Sequence, residues 1–331
     1  MTNKFYRKGT NLQVEEYNFP LAKGGLGDLI GHLPAIKYVL DHHPQIKINL
    51  WVHDYGMEIC NKLFSHYKNL TIFKISDYKK YKNDLDARSP YAHVITNLSS
   101  SIVDHGFLTI VGKQPEDPKS KNYLIFDPID VSSFNLPKKY AVITTGFTSK
   151  TREWLPECVY TVSQYLIERG ITPVYIGKSY TTSYSIGDQK TGISGTFKSD
   201  YSNGINIIDK TTLIEAHGIM SHATMVLGLD NGLLHLAGLT KETPIIAGYT
   251  TVEPIHRSIQ RHDVDSYKVY TVYPTREELT CIGCQSHMNF ARHDFRYCLY
   301  DDYKCLELLS AEKWIKQIDK CLKDTKGEVN D

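Results

Sequence analysis

The chain has 331 residues, 41% hydrophobic and 23% charged, with a formal net charge of +1. That composition excludes a disordered chain and is long enough for two domains with separate cores. No uninterrupted apolar run reaches bilayer-spanning length, and the start Met1-Thr2-Asn3-Lys4-Phe5-Tyr6-Arg7-Lys8 lacks a secretory core, so no transmembrane segment and a cytoplasmic location are expected.

In chain order, Ala22-Lys23-Gly24-Gly25-Leu26-Gly27-Asp28 is a glycine-rich turn, and the apolar spacing of Leu29 to Leu40 predicts a helix after it. A strand is expected over Ile46 to Val52, with further strands at Leu70 to Ile75, His93 to Asn97 and Tyr123 to Phe126. These make residues 1–135 an α/β, Rossmann-like domain, with an interdomain linker in the Pro-, Ser- and Asp-rich stretch 127–139. The second half alternates more clearly. Strands are predicted at Tyr140 to Thr144, Pro173 to Ile176, Ile205 to Ile208, Thr224 to Gly228 and Pro244 to Ala247, and helices at Pro156 to Arg169, Thr212 to Met220 and Gly232 to Leu239. That order predicts a doubly wound parallel sheet over residues 136–310. Gly177 to Gly204, polar and rich in Ser, Thr and Gly, is expected to be a mobile surface excursion. The amphipathic closing segment 311–331 is expected to be a helix packing back on the first domain.

The junction from Gly228 to Gly238 joins a buried-strand signal to a helix start, with Asp230, Asn231 and Gly232 at the turn. In an open parallel sheet such turns lie at the carboxyl ends of the strands, where ligands bind, and the N–H groups of a helix start favour an anion, with phosphate the natural candidate. Two glycine-rich turns feeding helices, one in each half, suggest two Rossmann-like domains. Charge is uneven as well: residues 1–139 carry 18 Lys and Arg against 14 Asp and Glu, a net +4, and the remainder is −3. The first half therefore suits an anionic contact such as a phosphorylated glycan, a membrane surface or nucleic acid, although an ordinary solvated surface has the same signature.

Cys281-Ile282-Gly283-Cys284 followed by Cys298 and Cys305 gives a C-x2-C-x13-C-x6-C spacing in the loop 281–305. A cytosolic chain seldom spends such a cluster on disulfides, whereas four thiolates suit a tetrahedral structural zinc or iron. His287 and His293 are substitute ligands, and Cys60, Cys158 and Cys321 are read as free thiols.

The segment Gly24-Gly25-Leu26-Gly27-Asp28-Leu29-Ile30-Gly31-His32-Leu33-Pro34-Ala35 resembles the amino-terminal motif of the bacterial heptosyltransferases, glycosyltransferase family nine. Asp230-Asn231-Gly232-Leu233-Leu234-His235-Leu236-Ala237 is similar to that family's Asp-Thr-Gly-x-x-His-Leu-Ala signature. Thr144-Thr145-Gly146 followed by Arg152-Glu153-Trp154-Leu155-Pro156-Glu157 resembles its third motif. The resemblance implies the GT-B architecture, two Rossmann-like domains facing across a cleft, and an inverting transferase with a nucleotide-diphosphate sugar as donor. It implies no catalytic metal. Asp28 would be the base that deprotonates the acceptor, a role worth on the order of 10²- to 10⁴-fold, and equally it can cap its own helix. Arg152, with Lys150 as the alternative, would meet the leaving phosphates together with His235. Gly27, Thr144, Thr145, Gly146, Asp230, Asn231 and Gly232 would line the donor, and Glu215 would accept from ribose hydroxyls or lie on a helix surface. Asn231 stands where the family usually has Thr, and Arg152 where it has Lys, exchanging a point charge for a bidentate fork. Some members that modify autotransporter proteins bind iron on a comparable cysteine quartet.

The acceptor is left open between a lipopolysaccharide core sugar and a protein hydroxyl, with an ADP-heptose as donor. A phage-type enzyme acting on a hydroxymethylated DNA base fits the +4 first half and an AT-biased composition, but no long basic tract supports it. A non-catalytic nucleotide-sugar or partner-binding protein is the third reading, and oligomerisation is left open.

Overall fold

The structure is a computed structural model that describes residues 16–20, 25–77, 101–112, 123–147, 150–179, 182–186, 189–196, 202–261, 264, 267–287, 298 and 300–327. The expected strand at 93–97 lies outside these. The chain divides into two compact units, Met1–Phe126 and Asp127–Asp331.

The first unit has three parallel strands in the order β1 (Glu16–Pro20), β2 (Lys47–Val52), β3 (Leu70–Lys74). Helix α1 (Leu26–His42) crosses from β1 to β2, and α2 (Asp54–Phe64) from β2 to β3. Period-2 burial in β2, with Ile48, Leu50 and Val52 fully buried, faces the sheet onto these helices. Helix α3 (Ile102–Ile110), which the sequence reading did not single out, packs against α1; its N-cap Ser101 accepts from the Asp104 N–H at 3.1 Å. Tyr123 to Phe126 is not a strand. Its burial alternates, with Leu124 and Phe126 buried and Ile125 exposed, yet no described strand bonds to it.

The second unit is built on a six-stranded, all-parallel sheet. Its strands are β4 (Tyr140–Thr144), β6 (Thr172–Ile176), β9 (Ile205–Asn206), β10 (Met225–Leu229), β11 (Ile245–Gly248) and β12 (Val269–Val272), in the spatial order β12-β11-β10-β4-β6-β9. The chain winds outward from β4 through β6 to β9, then returns to the other side of β4 and winds out through β12. The order reverses between β4 and β10, the topological switch point of a doubly wound sheet. All five residues of β4 and of β10 are buried, as strands covered by helices on both faces must be. Strand β12 is an addition to the strands expected from sequence.

The described part of the polar stretch 177–204 includes regular structure. It carries the antiparallel hairpin β7 (Thr182–Ile186) and β8 (Gln189–Thr196), whose second strand pairs with β5 (Gly146–Phe147). Residues 127–139 belong to the second unit, where Ile129 and Val131 press on Gly218 so closely that a Cβ there would lie 2.7 Å from Val131 Cγ1. The closing helix Ala311–Gly327 packs within the second unit. The reason is aromatic: Trp314, fully buried, stacks on Trp154 at the head of α4 (Pro156–Glu168), ring centroids 3.9 Å apart, with Ile318 and Cys321 buried beside it. Among the described residues no helix is long and apolar enough to cross a membrane.

Candidate functional site

Strands β4 and β10 end side by side at the switch point, and their last residues open two turns. The first carries Thr144 and then Arg152, on the one-turn 3-10 helix Lys150–Arg152. The second carries Asp230 and Asn231 into the short helix Gly232–Ala237. Parallel pairing of Ile143 with Leu227 fixes the register that brings them together.

Asn231 is the N-cap. Its Oδ1 accepts from the Leu234 N–H at 3.0 Å, and its Nδ2 donates to Thr144 Oγ1 at 3.0 Å, tying the two turns together. Gly228 makes room for this bond, because a Cβ there would overlap Thr144 Oγ1. The cap occupies one N–H of a helix only six residues long, so less of the helix start remains for an anion than the sequence suggested. The positive charge comes from Arg152 instead.

The Arg152 Nη1 lies 3.2 Å from Asp230 Oδ2, and its Nη2 donates to Gln285 Oε1 at 3.2 Å. His235 Nε2 lies 3.4 Å from Asp230 Oδ1. Asp230 and His235 are almost fully buried, and the Arg152 side chain is 15% exposed. Burial would raise the Asp230 carboxyl, but the Arg152 guanidinium, the His235 hydrogen bond and Arg257 outweigh it and hold the acid well below the usual carboxylate range. The Arg152–Asp230 contact is a charge contact without an aligned hydrogen bond: among the described residues, buried Asp230 Oδ2 and Arg152 Nε have no hydrogen-bond partner. Donor capacity on a buried guanidinium at the carboxyl edge of the sheet is therefore not taken up by the described residues.

Other residues expected at the donor sit differently. Thr145 spends its hydroxyl on the Ile176 carbonyl at 3.1 Å, and Gly146 opens β5. Lys150 is exposed and lies over the Tyr303 ring, 4.4 Å from its centroid. Glu215 closes a capping box at the start of Leu213–Ser221, its Oε2 accepting from the Thr212 N–H at 2.7 Å. His235 faces Asp230. Gln285 was not foreseen; the only sequence signal is its place directly after Cys284.

Asp28 and Gly27 belong to the first unit, at the start of α1. Asp28 Oδ2 accepts from the Gly25 N–H at 2.8 Å, so the cap reading of this carboxylate is realised. One turn on, His32 Nδ1 lies 2.7 Å from the Asp28 carbonyl oxygen, and His32 Nε2 lies 3.3 Å from His105 Nδ1. Both imidazoles are buried, and this pair pins the first turns of α1 to α3.

Cys281, Cys284, Cys298 and Cys305 line one cavity of about 20 Å³, shared with Thr151 and Thr251. That is room for one water or small ion. Burial, with the neighbouring thiols adding to it, pushes Cys284 up to about 11 and Cys305 up to about 12. Among the described residues no three His, Cys, Asp or Glu side chains converge closely enough to hold a metal ion as they stand. His293 lies outside the described residues.

The profile of glycosyltransferase family 9 (heptosyltransferase) matches residues 114–280. No curated protein matches the chain in sequence. Among solved structures, the iron-containing dodecameric glycosyltransferase TibC from enterotoxigenic E. coli H10407 is similar over 93% of this chain and 78% of its own, with 18% identity and a TM-score of 0.66. TibC in complex with ADP-D-beta-D-heptose gives 93% and 76%, 18% identity and 0.65. The E. coli ADP-heptose LPS heptosyltransferase II gives 95% and 100%, 11% identity and 0.55. At these identities the likeness is one of fold, the α/β fold of GT-B heptosyltransferases.

Proposed function

The chain belongs to glycosyltransferase family 9, the heptosyltransferases, and from that premise we propose that it transfers a heptose from ADP-heptose, with inversion, to a hydroxyl of a glycan or protein. The observation that carries the donor site is Arg152: a buried guanidinium at the switch point, in charge contact with Asp230, with an Nε that no described protein group engages. A departing diphosphate needs such a cation, and Arg offers it a planar fork. The ADP donor is supported by the family and by the ligand of TibC.

In the proposed reaction the acceptor oxygen attacks the anomeric carbon from the face opposite the diphosphate. The bond from that carbon to the diphosphate oxygen breaks, and the acceptor proton passes to Asp28. One Asp28 oxygen accepts from the Gly25 N–H, which fixes the carboxylate to which we assign the proton. Arg152 takes up the negative charge of the leaving ADP. Asn231, through Thr144, keeps the two turns in register, and His235 steadies Asp230 rather than the substrate. Gly146 and Gly232 are assigned to the donor as backbone, with Lys150 at the outer phosphate region and the second carboxylate oxygen of Glu215 at the ribose hydroxyls; Gly27 is assigned a backbone role beside Asp28 in the first unit.

A structural metal, zinc or iron, on Cys281, Cys284, Cys298 and Cys305 belongs to the same reading. The chemistry of the donor set supports this reading, since four thiols line one cavity, although they would have to draw closer together to ligate an ion. A bound metal would cross-link the loop and take no part in transfer. Chelation is expected to lower the melting temperature, and an unchanged melt with metal-free protein refutes the assignment.

The direct test is mass spectrometry of products from ADP-, UDP- and GDP-linked sugars with glycan and protein acceptors. Heptose transfer from the ADP donor is expected. Turnover confined to a UDP or GDP donor refutes the donor assignment, and modification of DNA alone refutes the acceptor class.

A further inference from the structure

We propose that Gln285 is a positioning residue for Arg152, through which the cysteine-bearing segment aims the cation that meets the donor diphosphate; the inference rests on the assignment of Arg152 above. Arg152 sits on a single turn of 3-10 helix, so its backbone alone constrains a long side chain weakly. Its contact with Asp230 is a charge contact at 3.2 Å that leaves the guanidinium plane undetermined. The second anchor, Nη2 donating to Gln285 Oε1 at 3.2 Å, fixes that plane, and bidentate recognition of phosphate depends on it.

The anchor is itself held. Gln285 is 8% exposed, and its N–H donates to the Thr251 carbonyl at 2.7 Å. The Gly283 N–H donates to the Thr250 carbonyl at 3.1 Å, and Thr250 Oγ1 donates to the carbonyl of Thr151 at 2.7 Å. The residue before Arg152 is thus bonded to Thr250, and the residue that receives its guanidinium to the adjacent Thr251. Cys284, immediately before Gln285, and Thr151, immediately before Arg152, line the cysteine cavity. A change in the cysteines reaches the cation through one peptide unit and one side chain.

The chemistry of the anchor matters. Asp230 already balances one positive charge; a second carboxylate at position 285 would offset the guanidinium, whereas an amide oxygen orients it and leaves its charge for the phosphate.

A double-mutant cycle read by calorimetric titration of ADP into the full chain tests this. Gln285→Met, close in volume but without the acceptor, is expected to weaken ADP binding about 10-fold, as for loss of a hydrogen bond to a charged group. In an Arg152→Met background the same change is expected to alter ADP affinity by less than about 2-fold. Equal losses in both backgrounds, or no loss in the single variant, overturn the positioning role. If Gln285→Met does not fold, as judged by its melt, Gln285→Asn is carried through the same cycle, since the shorter side chain withdraws the acceptor. Wild-type ADP affinity in Arg152→Met would instead remove the Arg152 assignment itself, whatever Gln285 does.

Discussion

Replacing Arg152 by Met separates what this residue does for the fold from what it does for the ligand. The side chains of Arg152 and Asp230 are 15% and 7% exposed, so the substitution strands a buried carboxylate with only His235 and the more distant Arg257 to compensate. Breaking a buried pair from one side costs about 3–5 kcal/mol, and with two residual partners the lower end, about 3 kcal/mol, is expected. In a domain of roughly 200 residues that lowers the melting temperature by roughly 6–12 °C. ADP affinity is expected to fall about 10- to 100-fold, the worth of a charge-assisted bond to phosphate. The double variant Arg152→Met/Asp230→Leu removes both charges; it is expected to recover most of the lost stability and none of the lost affinity. Differential scanning calorimetry and ADP titration read the two effects separately. A single variant that melts within about 1 °C of wild type refutes the buried-pair argument, and a double variant that regains ADP binding refutes the role of Arg152 at the phosphates.

Trp314→Ala removes a fully buried indole stacked on Trp154, and a loss of about 3–5 kcal/mol in chemical denaturation is expected; a loss below about 1 kcal/mol refutes the placement of the closing helix on the second unit. Gly228→Ala drives a methyl into Thr144 Oγ1 and so breaks the bond from Asn231; a cost of about 1–3 kcal/mol and weaker ADP binding are expected, checked by melt and titration, with an unperturbed variant as the refuting result. The Asp230 acid is depressed in the folded state, so its stabilisation is full above the unfolded value near about 4 and is lost as pH falls through the folded value. Denaturation series between pH 3 and pH 7 are expected to show stability falling toward the acid end in wild type and a shallower fall in Asp230→Asn; parallel slopes refute the pairing.

The sheet of the second unit was legible because a strand covered on both faces needs only apolar residues, and Tyr140–Thr144, Met225–Leu229 and Ile245–Gly248 supply them with no other constraint to read. The hairpin Thr182–Thr196 was not, since its Ser, Thr and Gly residues give no apolar alternation and its order comes from pairing with Gly146–Phe147. Helix packing of 311–327 turned on one stacked pair, Trp154 and Trp314, far apart in the chain. At the site, the strand-to-helix turn around Asp230 and the basic turn before Trp154 were visible as motifs. Their joining through Arg152, Asp230 and Asn231 depends on the neighbouring positions of β4 and β10, which only the sheet order supplies. Glu215 shows two signals competing: Thr212-x-x-Glu215 is a capping-box pattern, and the structure realises it. Gln285 meets Arg152 across 133 residues of chain, so no local pattern marks it.

The most direct test of the account is single-turnover transfer from ADP-heptose by wild type and Asp28→Asn, with ADP affinity measured on both. Asn keeps an oxygen for the Gly25 N–H and so preserves the cap, but it cannot take the acceptor proton. The account predicts transfer slowed by at least about 100-fold with ADP affinity unchanged within about 2-fold. Transfer at the wild-type rate by Asp28→Asn would contradict it.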